Sequence, residues 1–125
     1  MSTIHETASI GPCVSIGEGS YIDEGAVISG HVRIGAGVVI CEGVTLREGV
    51  TLRQCANIGE GSYVGKGVTI ERWAELGARA SVREGASIGA HALVVGCVEA
   101  YTIVDAYAII GVAGIDYEGG DGAGE

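Results

Sequence analysis

Four side chains that could take part in a reaction are grouped by their spacing. Cys55, Trp73 and His91 follow one another at intervals of 18 residues, and Arg72 directly precedes Trp73. A neutral imidazole can accept a proton near pH 7, and a guanidinium can bind the phosphates of a ligand. These residues form one site only if the backbone returns to the same edge of the fold every 18 residues.

Two unbroken series with a period of six run through the chain. Branched aliphatic residues occupy every sixth position from Ile4 to Val94, and Ala, Val or Ser occupies every sixth position from Ala8 to Val98. A small residue lies two positions before the next large one, which puts both on the same face of a strand. Glycine fills half of the positions just before the small residue, where a tight corner can require φ > 0. Since an α-helix does not produce a period of six, each hexad is predicted to be a short strand followed by a corner.

This pattern resembles the hexapeptide-repeat superfamily, and residues 4–98 carry the resemblance. It implies an all-β fold, a left-handed parallel β-helix of about five triangular coils without inserted loops. We expect the β-helix to cover residues 1–98 and a short C-terminal cap to cover 99–115. Residues 116–125 lack large apolar side chains, and this acidic tail is predicted to be mobile.

In the acyltransferases of this superfamily, the active site lies between two subunits of a homotrimer and a histidine is the general base. The resemblance makes His91 the candidate base, which would take a proton from a small hydroxyl or amine acceptor as it attacks the thioester of acetyl-CoA or another acyl-CoA. Trp73 is a candidate wall of the site, Arg72 a candidate contact for the phosphates of the donor, and Cys55 a further candidate binding residue. No intrinsic metal is expected. The alternative is that this cluster only packs between the subunits of a trimer.

Two other functions stay open. A non-catalytic β-helix, either a scaffold or an engineered repeat, is favoured by the uninterrupted period, because acyltransferases of this class usually carry a loop between hexads. A γ-class carbonic anhydrase shares the fold but holds zinc with three histidines. His31 and His91 are predicted to lie at different corners, about 15 Å apart along the axis, which is too far for one zinc ion.

Further side chains have regular places on the predicted surface. A ladder of carboxylates that repeats every 18 residues is either a solvated edge or a weak divalent-cation or partner-binding stripe: Glu6, Glu24, Glu42 and Glu60. A second corner alternates charges and is predicted to form surface salt bridges: Arg47, Glu48, Lys66, Arg83 and Glu84. His31 lies over Cys13, but two ligands are too few for a metal site.

The composition limits the partners and the compartment. The 125 residues carry a formal charge of −9, so neither nucleic acid nor an anionic membrane is an expected partner. No apolar run reaches 18 residues, and the start of the chain shows no signal peptide. Four cysteines without a CxxC pair are typical of reduced thiols and predict a cytoplasmic protein. Outward apolar residues, Tyr21 and Val39 on one side, indicate a surface that a homotrimer could bury.

Overall fold

A computed structural model describes residues 2–111, and every regular element in that range is a two-residue β-strand. The 19 strands pair in parallel into three sheets, and each strand lies next to the strands three before and three after it. The chain therefore winds around a three-sided column, with one strand on each side per coil. No helix in this range could span a membrane. The tail predicted over 116–125 lies outside the described residues.

The strands are numbered in chain order and are distributed evenly over the three sides. Sheet A contains Thr3–Ile4 (β1), Tyr21–Ile22 (β4), Val39–Ile40 (β7), Asn57–Ile58 (β10), Glu75–Leu76 (β13), Leu93–Val94 (β16) and Ile109–Ile110 (β19). Sheet B contains Ser9–Ile10 (β2), Val27–Ile28 (β5), Thr45–Leu46 (β8), Tyr63–Val64 (β11), Ser81–Val82 (β14) and Cys97–Val98 (β17). Sheet C contains Ser15–Ile16 (β3), Arg33–Ile34 (β6), Thr51–Leu52 (β9), Thr69–Ile70 (β12), Ser87–Ile88 (β15) and Ile103–Val104 (β18).

The core lies along the axis of the column and consists of the two periodic series. Strand partners in the first five coils are 18 residues apart, as in Ile22 with Ile40. The large aliphatics at every sixth position from Ile22 to Val94 expose 3 % of their surface or less. Ile4, in the terminal coil, exposes 44 % because only one neighbouring coil covers it. The inward orientation predicted for the large series is thus confirmed through the inner coils.

Two serines occupy small positions inside this apolar column. Ser20 and Ser62 are buried, and each donates a hydrogen bond from Oγ to a backbone carbonyl of the next coil, at 2.8 Å to Gly35 O and 2.9 Å to Gly77 O. A buried hydroxyl is tolerated when it has such a partner. Serine can therefore replace alanine in the small series.

The β-helix has about six coils, not the five predicted. The six-residue period is interrupted at a single corner, and the strands continue in the same three sheets after it. The corner after β16 is two residues shorter than the other corners. Gly96, with φ of 115°, leads the chain directly into β17. Val98 then pairs with Val82 and takes a large-aliphatic position, whereas the sequence placed it in the small series. Strands β18 and β19 extend sheets C and A within the segment expected to form a cap.

Three corners, each a stack of two-residue turns, connect the sheets. The first corner joins sheet A to sheet B, the second joins B to C, and the third joins C back to A. From Cys13 to Tyr107, the second residue of each two-residue turn has φ between 57° and 78°, and the shortened corner at Gly96, with φ of 115°, is the exception. Glycine adopts this left-handed conformation without steric cost, but eight other residues adopt it here as well. Their side chains leave the column from equivalent backbone positions and form vertical rows.

Candidate functional site

The third corner places three predicted site residues on consecutive rungs. Cys55, Trp73 and His91 all have φ near 60°, so their side chains leave the backbone in the same way. A ladder of backbone hydrogen bonds fixes the rungs: Trp73 N–H donates to Gln54 O and His91 N–H donates to Arg72 O, both at 3.1 Å. The vertical alignment that the 18-residue interval predicted is confirmed, and the roles of these residues stay predictions.

The rings of this row are stacked face to face. The ring centroids of Trp73 and His91 are 6.2 Å apart with an interplanar angle of 8°. On the next rung, the ring of Tyr107 lies 4.8 Å from that of His91, and the two planes differ by 1°. Trp73 exposes 54 % of its surface and Tyr107 exposes 71 %. The third corner therefore presents an exposed aromatic row with an imidazole at its centre.

The two arginines beside this row differ in their partners. Arg53 Nε lies 3.8 Å from Glu71 Oε1 and is held in a surface ion pair. Within residues 2–111, Arg72 has no carboxylate within 4.0 Å and is exposed next to Trp73. Of these two side chains, Arg72 is the one free to contact an anionic ligand.

Tyr107 was absent from the predicted site, because it follows His91 by 16 residues and not by 18. The two-residue deletion at Gly96 accounts for this difference. A four-residue sequence pattern could have identified Tyr107. An aromatic residue or histidine is followed by an alanine, then any residue, then an aliphatic residue in Trp73–Leu76, His91–Val94 and Tyr107–Ile110. Alignment on this four-residue pattern, rather than on the strict period, places Tyr107 in the row.

The second corner and sheet B border a groove with a volume of about 560 Å³ that sequence analysis did not identify. Its lining includes Arg47, Lys66 and Arg83. Lys66 Nζ lies 3.8 Å from Glu48 Oε1 and Arg83 Nε lies 4.0 Å from Glu99 Oε1, so the salt bridges predicted here form in part and with one different partner. These two carboxylates offset the charges of Lys66 and Arg83.

Arg47 differs from the other two cations of the groove. Its guanidinium Nη1 donates a hydrogen bond to Tyr63 Oη at 3.2 Å. No carboxylate in the described part of the chain lies within ion-pair distance of Arg47. Among residues 2–111, Arg47 is therefore the groove cation without a carboxylate partner.

The first corner carries the row of glutamates, with Arg79 on the rung after Glu60. Burial raises the pKa of the neighbouring Cys41 thiol, and the negative charges of Asp23 and Glu60 raise it further. Near neutral pH this thiol is therefore a poor nucleophile. In residues 2–111, no group of three or more His, Cys, Asp or Glu side chains is arranged to hold a metal ion.

The two remaining histidines lie away from the aromatic row. His31 is on the second corner, on the rung after Cys13, and its N–H donates to Pro12 O at 2.9 Å. His5 accepts a hydrogen bond at Nδ1 from the backbone N–H of Thr7 at 3.1 Å, as a turn residue would. The separation of His31 and His91 onto different corners, which argued against a three-histidine zinc site, is confirmed.

Comparisons with known proteins agree with this architecture. The family model described as bacterial transferase hexapeptide (six repeats) matches residues 13–48. The resemblance to the hexapeptide-repeat superfamily is confirmed: the chain carries hexapeptide repeats and folds into the left-handed parallel β-helix that they implied. Comparison with the sequences of curated proteins gives no match.

Two similar solved structures are those of perosamine N-acetyltransferase from Caulobacter crescentus. They are two variants, each with one histidine replaced, and both are in complex with CoA and GDP-perosamine. Each is 26% identical to this chain and superposes with a TM-score of 0.86 over 90% of this chain and 53% of the solved chain. The chain thus spans about half the length of these acetyltransferases.

Proposed function

We propose that this protein transfers an acyl group, with acetyl-CoA or another acyl-CoA as the donor and a small molecule with a hydroxyl or amine as the acceptor. The observation that carries the proposal is the position of His91 in an exposed row at the third corner, with Trp73 beside it and Arg72 adjacent to Trp73. The shared β-helix with an acetyltransferase that binds CoA supports the same class of reaction.

The chemistry assigned to His91 is proton transfer. In its neutral form, the imidazole takes a proton from the acceptor as the acceptor oxygen or nitrogen attacks the thioester carbonyl. A new bond forms between the acceptor and the acyl carbon, the carbon–sulfur bond breaks, and the proton passes to the thiolate of CoA. The transfer needs no redox partner and no metal ligand from the chain.

The other residues of the third corner bind and orient the donor. Arg72, which has no carboxylate partner in the described residues, contacts donor phosphates through charge-assisted hydrogen bonds. The exposed face and edge of Trp73 form a wall for the donor, and Cys55 lies on the rung before Trp73. We further propose that the site is completed by a neighbouring subunit of a homotrimer, which would cover outward apolar residues such as Tyr21 and Val39.

A non-catalytic scaffold is the second candidate function. The specific observation in its favour is that the strands follow one another from Thr3 to Ile110 without an inserted loop that could hold an acceptor. All four cysteines are free in the structure, which suits a cytoplasmic protein in either case. Binding of an acyl-CoA separates the two functions.

Titration with acetyl-CoA tests the proposal directly. We expect saturable binding with a dissociation constant between about 1 µM and 1 mM, measured by calorimetry and by the fluorescence of Trp73, the only tryptophan. Arg72→Gln should weaken the binding of acetyl-CoA but not that of acetyl-pantetheine, which lacks the nucleotide phosphates. Arg79→Gln, which removes the same charge from the first corner, is the control and should leave both affinities unchanged. An absence of binding at millimolar acetyl-CoA would support the scaffold.

A further inference from the structure

His91 is the middle ring of the row at the third corner, between the rings of Trp73 and Tyr107. The ring of Tyr107 is 4.8 Å away and parallel within 1°, and the ring of Trp73 is 6.2 Å away and parallel within 8°. Because an imidazole carries both nitrogens on its edge, rings parallel to it leave the nitrogens accessible. His91 itself is exposed, so this contact does not remove it from solvent.

The backbone places the three side chains on consecutive rungs in the same conformation. Trp73, His91 and Tyr107 have φ values of 63°, 62° and 65°. The hydrogen bond from His91 N–H to Arg72 O is 3.1 Å long, and that from Tyr107 N–H to Ala90 O is 2.9 Å long. Equal backbone conformation and a rise of one strand spacing, about 4.8 Å, let the three side chains leave the column in the same direction, one above the other. The shortened corner at Gly96 is what brings Tyr107 onto the rung after His91.

We propose that Trp73 and Tyr107 act as positioning residues, an aromatic clamp that fixes the plane of the His91 imidazole. The parallel ring of Tyr107, with its centroid 4.8 Å from that of the imidazole, opposes rotation of the His91 ring out of this plane. The clamp extends the proposed acyl transfer, in which His91 must both accept a proton and hold its direction. Neither Trp73 nor Tyr107 exchanges a proton with the reactants.

Other charged groups near the clamp are few. The rung before His91 carries Glu71 and Arg72, and Glu71 is paired with Arg53. The rung after it carries Asp105 and the phenol of Tyr107, and within residues 2–111 the Cys55 thiol lies two rungs before His91. A change confined to the ring of Tyr107 leaves all of these charges in place, so its effect on His91 reports the aromatic contact.

The test is the chemical shift of the His91 imidazole C–H signals at one fixed pH, with His91 assigned from the spectrum of His91→Asn. Tyr107→Leu should move these signals downfield, because it removes the shielding by the aromatic ring that lies parallel to the imidazole. Tyr107→Phe keeps the ring and should restore the wild-type value. Tyr101→Leu, which removes an exposed tyrosine from the second corner, is the matched control and should have no effect.

Unchanged His91 C–H signals in Tyr107→Leu, or an equal displacement of these signals in Tyr107→Phe, would overturn the clamp. For acetyl transfer, we expect Tyr107→Leu to lower kcat about 10-fold without raising the KM for acetyl-CoA, because misplacing a catalytic group slows the chemical step. The two proposals can fail separately. Displaced His91 signals in Tyr107→Leu without any acetyl transfer by the wild type would retain the clamp and refute the acyltransferase. Acetyl transfer with unchanged signals would retain the acyltransferase and refute the clamp.

Discussion

His91→Ala should lower the rate constant of acyl transfer by about 10²–10⁴-fold, the range usual for removal of a general base. The expectation depends on the position of His91, the only histidine at the third corner, beside the exposed Trp73 and Arg72. Affinity for acetyl-CoA should change only a few-fold, because the proposed phosphate contact and the tryptophan are kept. Release of free CoA thiol, followed with a chromogenic thiol reagent at saturating donor and acceptor, measures the rate.

His31→Ala is the matched control for this experiment. His31 has φ of 61° and His91 has φ of 62°, and both occupy the second turn residue of a corner, so the substitutions place alanine in the same backbone conformation. His31 lies on the second corner, away from the aromatic row, and its loss should leave the rate unchanged. Equal rates for the wild type and His91→Ala, or equal losses in both variants, would remove His91 from the reaction.

Gly59→Ala should destabilise the β-helix by about 2–4 kcal/mol, a large effect for the addition of one methyl group. A Cβ at this position would lie 2.6 Å from Gly77 C, 2.7 Å from Leu76 O and 2.8 Å from Ala78 N. All three atoms belong to the backbone of the next coil, which cannot move away without breaking the parallel pairing of β10 with β13. Urea unfolding followed by circular dichroism measures the loss, at one fixed protein concentration.

Gly77→Ala, one coil further along the same row, is the control. Its added Cβ would meet first the Cγ2 atom of Val95 at 3.3 Å, and a side-chain tip can shift. Alanine also reduces the freedom of the unfolded chain, which offsets part of the cost, so the change should be less than about 1 kcal/mol. Equal stabilities of the two variants would contradict the close approach of successive coils at Gly59.

The fold could be predicted because each hexad has the same order of small and large apolar residues and therefore indicates the same local geometry. The large aliphatic and the small residue lie two positions apart on a strand, and both must face inward. A period of six with three sides per coil then places residues 18 apart above one another, as the pairing of Asn57 with Glu75 shows. Cys55, Trp73 and His91 could be assigned to one corner on this basis alone, before any side-chain contact was known.

The features that were missed depend on departures from that period. The corner at Gly96 is two residues shorter than the others, and a count of hexads cannot show that the chain resumes the same coil after it. The strict period therefore ended the β-helix too early, gave Val98 the wrong position and left Tyr107 out of the row. The ion-pair partners of charged side chains could not be predicted for the same reason, because Arg83 pairs with Glu99, which follows the shortened corner.

A crystal structure of the protein with CoA tests most directly whether the third corner is the donor site. We predict the CoA sulfur next to the His91 imidazole, with the pantetheine arm along Trp73 and a phosphate in contact with Arg72. CoA bound only in the groove between Arg47 and Arg83, or no CoA bound at saturating concentration, would contradict the assignment.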